Sequence, residues 1–373
     1  MKISGCPCYD LIIVGSGLYG AVVARLAYER GKRVLVLERR KVVGGNCHDE
    51  WTDSICVHQH GAHIFHTDDE AVWRFVNRFT RLNGYMHEVF TRSEGQLIRL
   101  PLSLGTFYDV FGITEPWQID EMLNDEHKTE YYDNPKNLEE QAVNIIGRTL
   151  YEKVIKGYTE KQWGRNCKEL PASLILRLPV RQTFNNRYFN DPYQGIPEEG
   201  YTRMTEKMLE GIEVRTGVDF CKERNYWLRQ SYRVIYTGMV DELQDYCYGP
   251  LSYRSLRFEH ERVNRPLFQG CAVINEAAPE VPYTRTIEHK HFLFDTQTSH
   301  TIITREFPQE WQPGCEAYYP LHNDESQRLY QRYTERLRSV YPTIELGGRL
   351  GLYQYLDMDE TILKAFFHMG NTY

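Results

Sequence analysis

The sequence predicts an α/β protein with three parts: a nucleotide-type domain with a parallel sheet, a mainly helical domain, and a domain built on an antiparallel β-sheet. Three patterns lead to this prediction. An apolar strand, a glycine turn and a helix follow one another near the N-terminus, helical periodicity dominates the middle of the chain, and short β-branched runs begin at Tyr226. The chain has 373 residues, more than one hydrophobic core usually supports, so two or three domains are expected.

The N-terminal unit carries the strongest local signal. Apolar residues 11–14 lead into Gly15, Gly17 and Gly20 in GxGxxG spacing, and a helical stretch and a second apolar run ending at Glu38 follow. The three glycines allow a tight turn, close approach of a pyrophosphate, and packing of helix on strand. Glu38 is spaced to accept hydrogen bonds from an adenosine ribose. The unit predicts a Rossmann-like dinucleotide-binding domain, but the motif alone does not separate FAD from NAD.

Two further glycine-rich segments favour FAD. "GGN" at 44–46 follows the second strand almost at once, and "GGRLG" at 347–351 lies near the C-terminus. Glycine-rich approaches from both ends of the chain suit a long cofactor held by distant segments. FAD therefore fits better than NAD.

Composition limits the classes of partner. The formal charge of -7 and pI near 6.0 argue against a general nucleic-acid binder, which normally carries a basic excess. The uncharged run 11–24 is interrupted by glycines and is shorter than the ~20 residues that span a bilayer, so no membrane association is expected. The nine cysteines are odd in number and scattered, which predicts reduced thiols and a cytoplasmic protein.

The middle of the chain reads as helical. Asp68 is a plausible N-cap for a helix that ends at Gly84. The range 106–164 looks largely helical, with Asn137 and Glu140 at capping-box spacing.

A helix and a strand return the chain to the nucleotide domain, and an antiparallel sheet follows. "YTRMTEKMLEG" reads as the helix and "IEVRTGVDF" as the strand, whereas "YRVIYTG", "CAVIN", "VPYTRTIEH" and "HTIITREF" read as strands separated by turns. The predicted domains are 9–75 with 200–240 and 343–373 for the FAD-binding Rossmann-like domain, 76–165 for the helical domain, and 166–200 with 241–342 for the antiparallel sheet domain.

The stretch "HQHGAHIFH" at 58–66 contains four histidines and poses a question of metal binding. Imidazole is a common metal ligand, but metal-bound histidines normally come with identifiable partners. The stretch itself offers no acid or thiol at ligand spacing, so no metal is predicted.

Aromatic residues and arginines are frequent in the centre of the chain. Aromatic planes stack on bases and sugars, and arginines bind phosphate oxygens in bidentate fashion, so this set suggests an anionic nucleotide ligand. The same residue types also occur on ordinary solvated faces. The set comprises Tyr158, Trp163, Arg177, Arg181, Tyr188, Phe189, Arg254, Arg285, Tyr318 and Tyr319.

From Tyr9 onward the chain resembles the bacterial UDP-galactopyranose mutases. The resemblance is carried by "IIVGSGLYGAV", "GGN", "GAHIFH", "NLEEQA", "KGYTEKQWG", "ELPA", "YQGIP", "EGYTRM", "SYRSL", "VPYTRTIEHKHF" and "GGRL", in this order. "KGYTEKQWG" and "VPYTRTIEHKHF" are far more specific than the glycine fingerprint.

The resemblance implies an FAD isomerase that interconverts UDP-galactopyranose and UDP-galactofuranose without net redox. It implies a covalent adduct between the anomeric carbon of the sugar and N5 of reduced FAD. It further implies an external reductant such as NAD(P)H and a homodimer.

Site residues follow from the same resemblance, motif by motif. Arg177 and Arg285 are expected to hold the two phosphates of UDP, and His63 is expected to contact the flavin. The range 165–177 resembles the mobile lid of the family. The expected substrate-binding residues are Tyr158, Trp163, Arg177, Tyr188, Phe189, Arg254, Asn275, Arg285, Tyr319, Arg349 and Tyr355, and the expected cofactor-binding residues are Gly15, Gly17, Leu18, Gly20, Glu38, Arg39, Gly45, Asn46, His63, Gly348, Arg349, Asp357 and Met358.

Three positions depart from the family pattern. His87 stands where close members carry Asn, His60 where a tyrosine is usual, and Cys47 where a small residue is common. These departures bear on sugar contacts and on flavin redox behaviour.

Two other functions remain open from the sequence. The same FAD scaffold hosts oxidoreductases that remove hydride from amines or nucleotide sugars, because fold does not fix function. A dinucleotide-binding protein without catalysis is the third class, and it would leave the central arginines unexplained.

Overall fold

The computed structural model describes residues 7–175, 180–321 and 323–370. Its strands contribute to two large sheets and two short two-stranded sheets. The strands are β1 (Tyr9–Val14), β2 (Val34–Glu38), β3 (Asp49–Thr52), β4 (Ile55–His58), β5 (Phe65–Thr67), β6 (Val89–Ser93), β7 (Gln96–Leu100), β8 (Tyr193–Gly195), β9 (Glu213–Thr216), β10 (Ser231–Tyr236), β11 (Tyr253–Val263), β12 (Val273–Glu276), β13 (Arg285–Glu288), β14 (Thr301–Glu310), β15 (Tyr319–Pro320) and β16 (Ile344–Leu346).

Helices cover the faces of the parallel sheet and fill the middle of the chain. A π-helical segment, Tyr151–Lys156, joins the fifth helix to the sixth. The helices are α1 (Leu18–Glu29), α2 (Glu70–Val76), α3 (Leu104–Phe111), α4 (Pro116–Thr129), α5 (Leu138–Leu150), α6 (Gly157–Trp163), α7 (Tyr201–Met208), α8 (Arg224–Leu228), α9 (Asp324–Val340), α10 (Gly348–Gly351) and α11 (Met358–His368). None of the helices in the described ranges is both long enough and apolar enough to cross a membrane.

The five-stranded sheet is parallel and has the order β16-β10-β1-β2-β9. Its central strands are apolar on both faces, with Ile12, Ile13 and Leu35 fully buried, as expected where helices cover both sides. The predicted Rossmann-like fold is confirmed. In such sheets ligands bind beyond the carboxyl ends of the strands, which directs attention to the ends of β1 and β2.

The seven-stranded sheet has the order β15-β11-β14-β13-β12-β6-β7 and is antiparallel except for the pair β12 and β6. The expected largely antiparallel sheet is therefore present. Two of its strands, β6 and β7, come from the range 76–165 that the sequence assigns to a helical domain. The domain boundaries themselves stay a prediction.

The helical region lies beside this sheet and has its own apolar core. Phe107, Ile146, Leu150 and Tyr151 are fully buried in it. Helix α5 begins where the sequence predicts, because the side chain of Asn137 accepts a hydrogen bond from the backbone of Glu140 at 3.0 Å. This start helps fix the approach of the chain to α6.

The predicted helix from Asp68 to Gly84 is wrong at both ends. Asp69, rather than Asp68, caps α2, with its carboxylate accepting from the backbone amides of residues 71 and 72. The helix stops at Val76 because the chain then pairs with the segment near residue 196: Asn83 N donates to Ile196 O at 3.0 Å. Tertiary pairing overrides the helical pattern there.

Candidate active site

A long cleft opens at the carboxyl ends of β1 and β2. Helix α1 begins there at Leu18, and its N-cap Gly17 supplies no side-chain cap, so the first backbone N–H groups of the helix remain available to an anion. The cleft contains all but one of the predicted cofactor residues. Those lining it are Gly15, Gly17, Leu18, Gly20, Glu38, Arg39, Gly45, Asn46, His63, Gly348, Arg349 and Met358, and Asp357 lies in the neighbouring cavity.

Close backbone contacts explain two of the glycines. A Cβ on Gly20 would lie 2.0 Å from the carbonyl oxygen of Gly15, and a Cβ on Gly45 would lie 2.7 Å from the Cα of Gly17. Both contacts are with backbone atoms, which cannot move aside cheaply. The floor of the cleft is therefore bare backbone, as a pyrophosphate site requires.

Glu38 ends β2 with its carboxylate already oriented. It accepts hydrogen bonds from the amide and hydroxyl of Ser16, at 2.8 and 2.7 Å, and from the amide of Arg40 at 2.8 Å. The neighbouring Arg39 reaches Glu242 at 3.1 Å. Arg40, which the sequence analysis missed, has a buried Nη1 atom with no hydrogen-bond partner in the described chain. An unpaired guanidinium nitrogen at this cleft suits a phosphate oxygen.

A second cavity adjoins the cleft and shares His63, Arg349, Leu356 and Met358 with it. It lies against the antiparallel sheet. Its lining includes seven other predicted residues and four that the sequence analysis did not assign to a site. The predicted ones are Tyr188, Phe189, Asn275, Arg285, Tyr319, Tyr355 and Asp357, and the unassigned ones are His60, His66, His87 and Glu306.

Unpaired polar atoms concentrate in this second cavity. The Nε atoms of Arg285 and Arg349 are buried donors without a hydrogen-bond partner in the described chain. Asn275 Oδ1 and Glu306 Oε1 are buried acceptors that also lack a partner there. Buried polar groups are normally hydrogen-bonded, so their clustering marks a ligand site. The ligand must offer acceptors to the guanidinium groups and donors to the amide and carboxylate. A sugar phosphate offers both.

Arg285 joins the sheet to α6. Its guanidinium donates to the hydroxyl of Tyr158, and its Nε lies 3.7 Å from Oε1 of Glu306. Burial opposes the charge of Arg285, but the carboxylate of Glu306 together with Tyr158 and Tyr319 raises its pKa above the usual value. Arg285 is thus a cation at the cavity wall. Tyr158 does not line the cavity but touches this residue.

Three stacked rings form one side of the cavity. The ring of His66 lies 3.7 Å from that of Phe189 at an angle of 17°, and the ring of His87 lies on Phe189 at 5.8 Å and 23°. Burial, assisted by the charge of Arg285, lowers the pKa of His87 to about 3, so its imidazole is neutral. Its Nδ1 is 3.2 Å from the hydroxyl of Tyr85. Since a tyrosine hydroxyl can donate to that nitrogen, Nε2 would carry the proton.

The histidines of the 58–66 stretch contact protein groups. His63 Nδ1 donates to the carbonyl oxygen of Gly61 at 2.9 Å, and its amide donates to His58 Nδ1 at 3.2 Å. Burial lowers the pKa of His63 to about 4, and this neutral ring faces both cavities. His60 Nδ1 is 2.8 Å from the hydroxyl of Tyr318.

His58 also lies near an acid and a thiol that sequence spacing did not bring together. Possible ligand atoms of Asp49, Cys56 and His58 lie within 4.8 Å of one another. The carboxylate of Asp49, however, accepts from the backbone amides of Tyr201 and Thr202 at the start of α7. His58 Nδ1 is likewise occupied by the amide of residue 63. These contacts tie the β3–β4 hairpin to α7.

Four predicted substrate residues are not among the described residues that line the cavity: Tyr158, discussed above, and Arg177, Trp163 and Arg254. Arg177 lies outside the described residues. Trp163 packs partly buried against the helical core, and Arg254 donates from Nε to the carbonyl oxygen of Gln162 at 3.1 Å. Arg254 thus meets the C-terminal end of α6, where a cation is favourable. The substrate roles of these residues stay predictions.

Comparison with known proteins identifies the family. The sequence profile of UDP-galactopyranose mutase matches residues 153–355, and that of an NAD(P)-binding Rossmann-like domain matches residues 13–79. A probable UDP-galactopyranose mutase of Klebsiella pneumoniae is 38% identical over 95% of this chain and 92% of its own length. A dTDP-fucopyranose mutase of Escherichia coli is 35% identical over 95% and 96%.

A solved structure agrees in fold. The crystal structure of a reduced UDP-galactopyranose mutase superposes with a TM-score of 0.73, covering 97% of this chain and 94% of the other, at 14% identity. The chain belongs to the UDP-galactopyranose mutase family of isomerases.

Proposed function

We propose that this protein interconverts UDP-galactopyranose and UDP-galactofuranose without net redox, with FAD in the first cleft and the sugar nucleotide in the second cavity. One observation carries the proposal: the two cavities adjoin, and the second contains unpaired guanidinium donors beside unpaired amide and carboxylate acceptors. The phosphates of a sugar diphosphate would accept hydrogen bonds from the guanidinium donors, and its sugar hydroxyls would donate to the amide and carboxylate acceptors.

The cleft residues fit FAD. The bare glycine floor, the free N-terminus of α1 and the unpaired Nη1 of Arg40 suit its pyrophosphate, and Glu38 suits its adenosine ribose. When bound and reduced, FAD would supply a nucleophilic N5 for covalent catalysis at the anomeric carbon of the sugar. The residues that would hold it are Gly15, Gly17, Leu18, Gly20, Glu38, Arg39, Gly45, Asn46, His63, Gly348, Arg349, Asp357 and Met358.

Arg285 would bind the diphosphate and keep it near the reacting carbon while it is detached from the sugar. A cation already fixed by Tyr158 and Glu306 stabilises such a leaving group with little reorganisation. Arg177 is proposed for the same task. His63 would present a neutral imidazole at the junction of the cavities.

The stacked wall of His66, Phe189 and His87 would face the sugar or its ribose. Asn275 would accept a hydrogen bond from a ligand hydroxyl through its unpaired Oδ1. Tyr319 and Tyr355, whose rings stack at 5.8 Å with Arg349 over both, would close the side between flavin and phosphate. Tyr158, Trp163, Tyr188 and Arg254 complete the proposed substrate set.

An external reductant such as NAD(P)H would keep the flavin reduced, and assembly as a homodimer is proposed from the family resemblance. The arrangement of the two cavities depends on neither the reductant nor the dimer.

The deciding experiment is furanose formation by the purified holoenzyme. UDP-galactopyranose is incubated with the flavin oxidised and with the flavin chemically reduced, and products are separated by HPLC. Product only in the reduced sample, with no flavin oxidised per turnover, is expected. Net oxidation of the sugar nucleotide would instead support a flavin oxidoreductase.

A parallel incubation with dTDP-fucopyranose tests the second sugar nucleotide. The 35% identical relative that carries this name makes it a relevant competitor. Faster turnover of dTDP-fucopyranose than of UDP-galactopyranose would make dTDP-fucopyranose the proposed substrate. The proposed reaction type, ring contraction, would stay the same.

A further inference from the structure

A buried carboxylate shares the cavity proposed for the diphosphate. Glu306 is 2% exposed and lines the second cavity. It lies on β14 directly opposite Arg285 on β13, since the two residues are register partners. Because side chains of paired residues point to the same face of a sheet, the carboxylate and the guanidinium stand side by side.

The contact between the two is an ion pair without a hydrogen bond. Arg285 Nε and Glu306 Oε1 are 3.7 Å apart, and both atoms are buried without a hydrogen-bond partner in the described chain. Within the described part of the chain, Glu306 forms its ion pair with Arg285. The backbone of Gly61 lies near the other carboxylate oxygen, because a Cβ there would come within 3.3 Å of Oε2.

Such a carboxylate opposes an anionic ligand. Once a diphosphate binds Arg285, two anions share one guanidinium in a site shielded from water, where charge interactions are stronger than in bulk solvent. If tight binding were the only requirement of the cavity, a neutral side chain at position 306 would serve better. A reaction in which the diphosphate must detach, return and finally leave requires a weaker hold.

We propose that Glu306 is a positioning residue that holds Arg285 in place in the empty enzyme and weakens its grip on the diphosphate of the sugar nucleotide. This inference rests on the proposed function, in which Arg285 binds that diphosphate. Glu306 affects the bound diphosphate by positioning Arg285 and by its own negative charge. It takes no part in bond formation.

The test compares UDP and uridine binding to the oxidised holoenzyme by isothermal titration calorimetry. Glu306→Gln keeps the shape of the side chain and removes its charge. It should bind UDP about tenfold more tightly, since a like charge is removed at a few ångströms, and the dissociation rate should fall by the same factor. Uridine, which has no phosphate, should bind both proteins equally.

Two variants serve as controls. Glu306→Asp retains the charge and should bind UDP within about twofold of the parent. Glu261→Gln removes a carboxylate of the same sheet whose partner, Arg305, is 2.6 Å away on an exposed site, and it should change nothing. Glu306→Ala provides a second neutral variant should Glu306→Gln not fold, as judged by melting temperature and flavin content.

The outcomes separate this inference from the proposed function. A parent protein that does not bind UDP overturns both. A parent that binds UDP, with both neutral variants unchanged or weaker, overturns the role of Glu306 alone. Equal tightening of uridine would also overturn it, because the effect would not then depend on phosphate charge.

Discussion

Arg285 donates a hydrogen bond to the hydroxyl of Tyr158, 127 residues earlier in the chain. The contact joins β13 of the antiparallel sheet to the first turn of α6. The two most specific sequence motifs, "VPYTRTIEHKHF" and "KGYTEKQWG", thus meet at one point on the cavity wall. Their meeting places a strand and a helix from distant parts of the chain beside the same cavity.

Replacing Arg285 with Ala should lower kcat/KM by a factor equivalent to ~3 kcal/mol or more, because one preorganised charge donor is lost. Tyr158→Phe keeps the charge of Arg285 but removes the hydroxyl that accepts its hydrogen bond. A smaller loss of kcat/KM is therefore expected. Activity is measured with reduced holoenzyme. Arg262→Ala, which removes an exposed arginine paired with Asp53 at 2.9 Å, is the matched control. Activity of Arg285→Ala within twofold of the parent would contradict the assignment.

Gly157→Ala should destabilise the junction between α6 and the sheet. A Cβ at Gly157 would lie 1.8 Å from the carbonyl oxygen of Ala277, and Ala277 cannot retreat because its amide donates to Arg92 O at 2.9 Å. Overpacking against fixed backbone should cost about 3 kcal/mol in the free energy of unfolding. Gly84→Ala, which meets no atom within 4 Å, is the control in urea denaturation. Equal stability of both variants would contradict the close approach.

Lys161→Met should loosen the loop that leads to Arg285. Lys161 Nζ donates to the carbonyl oxygens of Ala278, Val281 and Tyr283, at 2.9, 3.1 and 3.1 Å. Losing these charged hydrogen bonds should cost roughly 2 kcal/mol of stability and weaken UDP binding. The control is Lys128→Met on α4, where the lysine side chain is 75% exposed and pairs with Asp125. Unchanged UDP affinity would show that the loop keeps its position without the lysine.

The parts of this architecture that depend on local pattern were predictable. The glycine fingerprint, the strand-helix-strand unit around it and the capped start of α5 at Asn137 each depend on neighbouring residues. The end of α2 was not predictable, since pairing between Asn83 and Ile196 stops a helix that the apolar periodicity would continue. Local sequence does not contain that contact.

The residues of the candidate site also fall into two groups, those that the sequence predicted and those that it did not. Motif resemblance pointed to Arg285, Asn275 and the stacked Phe189, all of which line the cavity. Glu306 escaped notice because its relation to Arg285 exists only in the register of β13 and β14. Asp49 near His58 was missed for a similar reason, since hairpin pairing brings these residues together.

The buried histidines should make stability fall in acid, and His289 offers the cleanest test. Its Nδ1 accepts from the amide of His58 at 3.2 Å, and its Nε2 is 2.6 Å from the hydroxyl of Thr304. Burial, with a small contribution from His260, lowers the pKa of His289 to about 3. Below the unfolded-state pKa of about 6.5, His289 becomes protonated in the unfolded chain but stays neutral in the folded chain. The free energy of unfolding therefore falls as the pH falls.

His289→Gln removes this titration and isolates its contribution from those of the other buried groups. The variant should be less stable than the parent near neutral pH, because the bond to Thr304 is altered. Its deficit should shrink by about 1.4 kcal/mol for each pH unit below about 6.5. Urea denaturation of both proteins between about pH 7.5 and pH 5 measures the difference. A deficit that stays constant over this range would mean that His289 takes up its second ring proton at the same pH in the folded and the unfolded chain.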